Sequence, residues 1–242
     1  LHSHIGSQIF DVSGFEVAAR RLVGLHVDIA RQHGLHLPEM DLGGGYGIAY
    51  TSEHDPMTPA HLGADMAAVC ERELKALDDL APGAPRPRIS IEPGRAIAGP
   101  STLTLYEVGT VKQVQVTNDA VRSYVSVDGG MSDNIRPALY DAAYTALVAN
   151  HRPDPAVEPV RARVVGKHCE SGDVVVRDVD LPADLAVGDV LAVPATGAYG
   201  RSMASNYNLF TRPGVAWVSG GEQGWLIRPE TIDDLLRLEG EE

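Results

Sequence analysis

The sequence predicts an α/β unit followed by an all-β unit, and three observations carry that expectation. Over residues 1–100, short apolar segments ending in glycine alternate with stretches of helical periodicity, the strand–turn–helix order of parallel α/β folds. From Ser101 onward the pattern gives way to β-branched and alternating runs separated by Gly, Pro and Asp. Gly99-Pro100 reads as the boundary, giving 1–100 to the α/β unit and 101–242 to the β unit.

Element by element, Ser13-Gly-Phe-Glu16 has the form of a capping box. Val17, Leu22, Leu25 and Ile29 follow at helical spacing until Gly34, where a helix should end. Glu39-Met-Asp-Leu-Gly-Gly-Gly45 reads as a short strand ending in glycines. Thr58-Pro59 opens a second helix, Thr as N-cap and Pro in the first turn, that should run to about Leu80. Arg88-Ile-Ser-Ile-Glu-Pro-Gly-Arg95 is another strand ending in a turn. In the second part, strands are expected at Ser101–Val116, Val121–Val127, Arg161–Val165, Val174–Val179, Val190–Val193 and Gly214–Val218, arranged antiparallel. One helix, Pro137–Asn150, should interrupt them.

Composition narrows the function. A chain of 242 residues, 44% hydrophobic and 22% charged, is globular and long enough to bury a core. A net charge of −13 argues against nucleic acid or an anionic membrane as partner. No apolar run approaches the roughly 20 residues that span a bilayer, and no signal-peptide pattern is present. Two cysteines in different regions make neither a disulfide framework nor a zinc site. A reducing cytoplasm and no metal are therefore the expectation.

Several residues could carry chemistry. Cys169 sits in Gly166-Lys-His-Cys-Glu-Ser-Gly-Asp173, among groups able to change a thiol's acidity. Cys70, in Met66-Ala-Ala-Val-Cys-Glu-Arg72, reads as an ordinary helix-face cysteine. Gly43, Gly44 and Gly45 follow a strand, where a backbone without Cβ can approach a phosphate; a tight turn would use the same glycines. The nucleotide motifs fail, because G-x-G-x-x-G would need glycine at Ile48 and no Gly-Lys-Ser/Thr follows. Glu92-Pro-Gly-Arg95 places a carboxylate and an arginine at a strand end, where α/β enzymes build their sites. They could hold a cationic nitrogen and an anion side by side, or form an exposed salt-bridged turn. His4 and Ser7 close the first strand in the same way. Arg136 and Tyr140, four apart, would share a helix face and could clamp a carboxylate or form a helix-end bridge. Tyr199, in Thr196-Gly-Ala-Tyr-Gly200, is a glycine-flanked aromatic that would also serve as a packing anchor.

Taken together, His4-Ile-Gly-Ser-Gln8, Gly43-Gly-Gly45, Glu92-Pro-Gly-Arg95, Asp128-Gly-Gly-Met131 through Arg136-Pro-Ala-Leu-Tyr140, Cys169-Glu-Ser-Gly-Asp173 and Gly197-Ala-Tyr199 resemble the diaminopimelate decarboxylase family. That family belongs to the fold-type III pyridoxal-phosphate decarboxylases, with ornithine and arginine decarboxylases. The resemblance runs in order from residue 2 to about 235. It implies decarboxylation of meso-2,6-diaminopimelate to L-lysine and CO2, the last step of lysine biosynthesis, with pyridoxal 5'-phosphate as cofactor. On the resemblance, His4 stacks on the pyridine ring and Glu92 pairs with its nitrogen. Ser7, Gly43, Gly44, Gly45, the Gly94–Arg95 backbone and Tyr199 hold the phosphate. Arg95, Arg136, Tyr140, Glu170 and Tyr199 contact substrate, and Cys169 reprotonates the carbanion. In the family the thiol and Glu170 serve the cofactor of a partner subunit, so a homodimer with a shared active site is implied.

The family's Schiff-base lysine lies on an early barrel strand, in a segment that would precede residue 1. Lys75, Lys112 and Lys167 stand in no such motif. A (β/α)8 barrel takes about 250 residues, and only about three strand–helix units fit before Gly99. The chain is therefore expected to be the C-terminal part of such a barrel followed by an antiparallel β-barrel or sandwich domain, inactive alone. Three alternatives stay open: a catalytically incompetent homologue or regulatory fragment, a related ornithine, arginine or lysine decarboxylase, and a metabolite-binding α/β module.

Overall fold

The computed structural model describes residues 1–118 and 120–240, in two compact units, Leu1–Ser101 and Thr102–Glu242. In the first, helix α1 spans Ser13–His33. No capping box closes its start: Val12 makes no side-chain cap bond, and the Ser13 N–H donates to Asp11 Oδ1 at 2.8 Å. A carboxylate two residues ahead of the first turn satisfies one of its orphan donors instead. Gly34 ends the helix in the left-handed region, φ 65°, its N–H on the Ala30 carbonyl. Not every apolar position at that spacing is buried. Phe15, Ala18, Ala19, Leu22, Val23, His26 and Val27 are inside, whereas Val17 and Leu25 are exposed. The helix turns its one phenylalanine inward to stack on Tyr46, ring centroids 4.6 Å apart, and that choice sets the face. Met40, Leu42, Met66, Val69 and Leu77 complete this core.

Helix α2, Pro59–Leu80, begins as its sequence suggests, with the Thr58 side chain accepting from the His61 N–H and Pro59 in the first turn. Strands β1 (Glu39–Asp41) and β2 (Arg88–Ser90) pair in parallel. Leu1–Ser3 lies along the other edge of β1, with Asp41 N–H to the Leu1 carbonyl at 2.7 Å and Ser3 N–H to the Asp41 carbonyl at 3.0 Å. Parallel neighbours need crossovers, which α1 and α2 supply. The segments that follow, His4–Gln8, Gly43–Gly47 and Glu92–Arg95, consequently emerge at one end. Helix α3, Gly94–Ala98, starts within the last of them.

The second unit is built on a six-stranded sheet. Its strands are β3 (Thr104–Thr117), β4 (Ala120–Val127), β5 (Leu147–Val148), β6 (Pro159–Val165), β7 (Val174–Pro182) and β8 (Val190–Val193). They lie in the order β5-β8-β3-β4-β6-β7. All neighbours are antiparallel except β4 and β6, which are parallel, so the sheet is mixed where an antiparallel one was expected. The long connection from Val127 to Pro159 makes the parallel pairing possible, and it carries the Asp128–Tyr140 run. The expected helix Pro137–Asn150 shrinks to α4, Arg136–Tyr140, stopped at Asp141 in the left-handed region with φ 54°. Beyond it Tyr144 and Ala146 are buried and β5 pairs with β8, so burial and strand pairing override local helix propensity.

Helix α5, Gly200–Met203, is a single turn. Strands β9 (Val215–Ser219) and β10 (Glu222–Ile227) form a separate hairpin, followed by α6 (Ile232–Leu236) with a Thr231/Asp234 capping box. Among the described residues, no helix is long and apolar enough to cross a membrane.

Candidate active site

Each unit gathers one group of the sequence-predicted residues. In the first, the Glu92 N–H donates to the Gly43 carbonyl at 2.9 Å, setting the Glu92 turn directly against the glycine turn. The Gly43 N–H donates to Asp41 Oδ1 at 2.8 Å, and the Gly45 carbonyl accepts from Ile9 N–H at 2.9 Å. The glycines are dictated by crowding. Gly43 and Gly45 have φ of 73° and 103°, and a Cβ there would strike the carbonyl oxygens of Ser3 and Gly6. At Gly44 a Cβ would sit 2.5 Å from the Glu92 carbonyl oxygen. Among the described residues, the N–H groups of Gly44 and Gly45 take no part in the turn's own bonds. A side-chain-free turn with such N–H groups fits an anionic phosphate.

Arg95, half-buried, donates from Nη1 to Gln8 Oε1 at 3.0 Å and lies over the Tyr50 ring at 5.9 Å. Gln8 also bonds the Ile48 N–H and carbonyl, at 3.1 and 3.0 Å, from a left-handed backbone, φ 57°. A non-glycine residue held in that region marks a place where surrounding structure overrides local preference. Gln8 thus ties the loop bearing His4 and Ser7 to Arg95, a role its place in a motif did not disclose. His4, Ser7, Glu92 and Gly94 are exposed. His2 Nε2 lies 3.5 Å from Glu92 Oε2. One ligand atom each of His2, Asp41 and Glu92 falls within 4.8 Å of the others, a spacing a divalent ion could use but one common in exposed groups without it.

In the second unit, Cys169 is exposed on a turn whose flanks are held from beneath. Asp173, only 3% exposed, accepts from the Met131 N–H through Oδ1 at 2.6 Å and from the His168 N–H through Oδ2 at 2.7 Å. The buried His168 ring places Nε2 2.9 Å from Ser132 Oγ and packs against Tyr207 and Phe210, centroids 5.4 and 5.0 Å away. The Tyr207 hydroxyl donates to Glu170 Oε1 at 2.5 Å, and that carboxylate pushes the phenol's pKa up. Arg136 is buried, donates to Tyr144 OH at 2.5 Å, and lies over the rings of Tyr144 and Tyr199 at 5.6 and 5.7 Å. Tyr140 is 62% exposed, so the phenol on Arg136 is Tyr144, eight residues on, rather than its helix-face neighbour. Tyr199 is itself in the left-handed region, φ 66°.

The Tyr207 turn is anchored further along. Glu230 accepts from Arg212 Nε at 2.6 Å, Arg212 N–H at 2.8 Å and Asn206 Nδ2 at 2.7 Å. The Arg212 guanidinium holds the Glu230 carboxyl down to about 2. A pKa depressed on folding stabilises fully above the ordinary value of 4.5 and is lost as pH falls towards 2. Amides of residues 206–210 should therefore lose exchange protection across that acid window. Glu230→Gln should show the weakened protection at neutral pH, by about 1–3 kcal/mol. Unchanged exchange in Glu230→Gln would contradict this anchoring.

The family model for the C-terminal sheet domain of pyridoxal-dependent decarboxylases matches residues 49–197, and the chain belongs to that family. It is 52% identical over 243 residues to diaminopimelate decarboxylase of Mycobacterium tuberculosis, covering 99% of this chain and 53% of that protein. It is 48% identical over 239 residues to diaminopimelate decarboxylase of Corynebacterium efficiens, covering 99% and 50%. The crystal structure of diaminopimelate decarboxylase from M. jannaschii in co-complex with L-lysine matches with a TM-score of 0.86 at 32% identity, covering 100% of this chain and 51% of that one. The chain spans about half the length of the curated relatives it matches.

Proposed function

We propose that this chain acts in the pyridoxal-phosphate-dependent decarboxylation of meso-2,6-diaminopimelate to L-lysine and CO2, its first unit forming part of a (β/α)8 barrel. One observation carries the reading: the Glu92 turn hydrogen-bonded to the Gly43–Gly45 turn at the ends of adjacent parallel strands. That junction sets a carboxylate beside an anion-accepting backbone, which suits a protonated ring nitrogen and a phosphate on one molecule. The names of the relatives point to the same substrate.

When bound, the cofactor supplies an electron sink for the pair left as CO2 departs. Glu92 holds a proton at the ring nitrogen, with His2 beside its carboxylate. His4 would lie against the ring face. Ser7, the Gly43–Gly45 backbone, Gly94, Arg95 and Tyr199 take the phosphate. Arg95, Arg136, Tyr140, Glu170 and Tyr199 take the two ends of the substrate, arginines on carboxylates and Glu170 on an ammonium. Arg136 is held for this by its bond to the Tyr144 hydroxyl and by the Tyr144 and Tyr199 rings near its guanidinium. Cys169 delivers a proton from Sγ to one side of the reacting carbon, and with Glu170 serves the cofactor of a second copy in a homodimer.

This reading calls for a lysine that binds the cofactor's aldehyde. Lys75 is exposed on α2, Lys112 on β3, and Lys167 lies 4.3 Å above the Phe210 ring; none stands at the end of β1 or β2. Borohydride reduction of the chain with pyridoxal phosphate should give no stoichiometric adduct at these three. The enzyme containing this chain, loaded with cofactor, should release CO2 and lysine in equal amounts from meso-diaminopimelate. A full adduct at Lys75, Lys112 or Lys167, or no CO2 from the loaded enzyme, would overturn the proposal.

A further inference from the structure

We infer that Asp173 is the residue that positions the Cys169 thiol, an inference that rests on the proposed role of Cys169 as proton donor. Cys169 is exposed, so packing does not fix it, and its position follows from its backbone. The N–H immediately before it, on His168, is bound by Asp173 Oδ2 at 2.7 Å. The other oxygen takes the Met131 N–H at 2.6 Å, in the Gly129-Gly130-Met131 turn. A second bond joins the same two turns, Lys167 N–H to the Gly129 carbonyl at 2.9 Å. Asp173 also closes its own loop through its main chain, accepting from Gly166 N–H at 2.9 Å and donating to the Glu170 carbonyl at 3.1 Å.

The space around this carboxylate admits nothing larger. A Cβ on Gly130 would sit 2.6 Å from Oδ1, and one on Gly166 would strike both oxygens. Two glycines and two N–H donors therefore enclose one buried carboxylate, and charge-assisted bonds from N–H to carboxylate are stronger than neutral ones. A proton donor must reach a planar carbon from one face, and a misplacement of about 1 Å can cost on the order of 100-fold in rate. Asp173 touches neither substrate nor cofactor in this reading. It acts through the turn, and its loss should fall on the proton-transfer step and not on binding.

Two independent variants test the inference. Asp173→Asn replaces one acceptor oxygen by a donor facing an N–H, and Gly166→Ala displaces the carboxylate while leaving it in place chemically. In each, amide hydrogen exchange at Met131 and His168 should quicken by about tenfold or more while β3 and β4 amides hold. In the cofactor-loaded enzyme, kcat should fall about 10- to 100-fold with KM and cofactor affinity within about twofold. In D2O, deuterium at the carbon that lost CO2 should appear in both configurations, where the unaltered enzyme gives one. Unchanged amides, an unchanged kcat, or a single retained configuration would overturn the inference. Failure of both variants to fold would overturn it too, in favour of a purely structural carboxylate. Wild-type turnover by Cys169→Ala would remove the donor role itself, and with it the inference, even where the amide result stands.

Discussion

Cys169→Ala should lower kcat of the cofactor-loaded enzyme by about 10²- to 10⁴-fold, the range typical of losing a positioned acid or base. Cofactor affinity and KM should stay within about twofold, because in the proposed reading the thiol acts after binding and after CO2 has left. Stability should hardly move, within about 0.5 kcal/mol, since the side chain is exposed. Cys70 supplies the internal contrast. It is half-buried against the first unit's core, and burial pushes its thiol pKa up. Cys70→Ala should cost stability and leave the rate alone. Steady-state kinetics on the two alanine variants decides the matter. A Cys169→Ala enzyme within about fivefold of the original kcat would put the donor elsewhere.

Glu92→Gln should have an effect of similar size by a different route. An amide is isosteric with the carboxylate but carries no charge to keep a proton on the ring nitrogen, and removing such electrostatic stabilisation costs about 10²- to 10³-fold in kcat. The fold should survive, because the bond joining the two turns uses the Glu92 main chain, and the side chain is exposed. The proposed phosphate contacts are likewise untouched, so cofactor should still bind. Equal kcat for Glu92→Gln, measured at saturating cofactor, would mean that the ring nitrogen is served by another group.

The sequence discloses what is local and hides what is brought together by the fold. Thr58-Pro59 and Gly34 could be read because capping chemistry lies within a few residues. The buried face of α1 is not legible from spacing alone, because an amphipathic stripe can be drawn through several registers, and Phe15 turns inward to stack on Tyr46. The parallel pairing of β4 with β6 needs partners more than 30 residues apart and leaves no periodic trace. The same holds at the candidate site. Cys169, Glu170 and Glu92 stand in recognisable motifs, whereas Tyr207 reaches Glu170 from 37 residues away and Gln8 reaches Arg95 from 87. Tyr144 reaches Arg136 from beyond the end of the five-residue α4, a pairing that no helical spacing points to.

The most direct measurement is substrate choice: CO2 released from meso-diaminopimelate, L-ornithine and L-lysine by the cofactor-loaded enzyme that contains this chain. A site built to pair a second carboxylate should reject substrates lacking it, so kcat/KM for meso-diaminopimelate should exceed the others by at least about 100-fold. Comparable or faster release from ornithine or lysine would contradict the proposed function, whatever the cofactor-binding residues do.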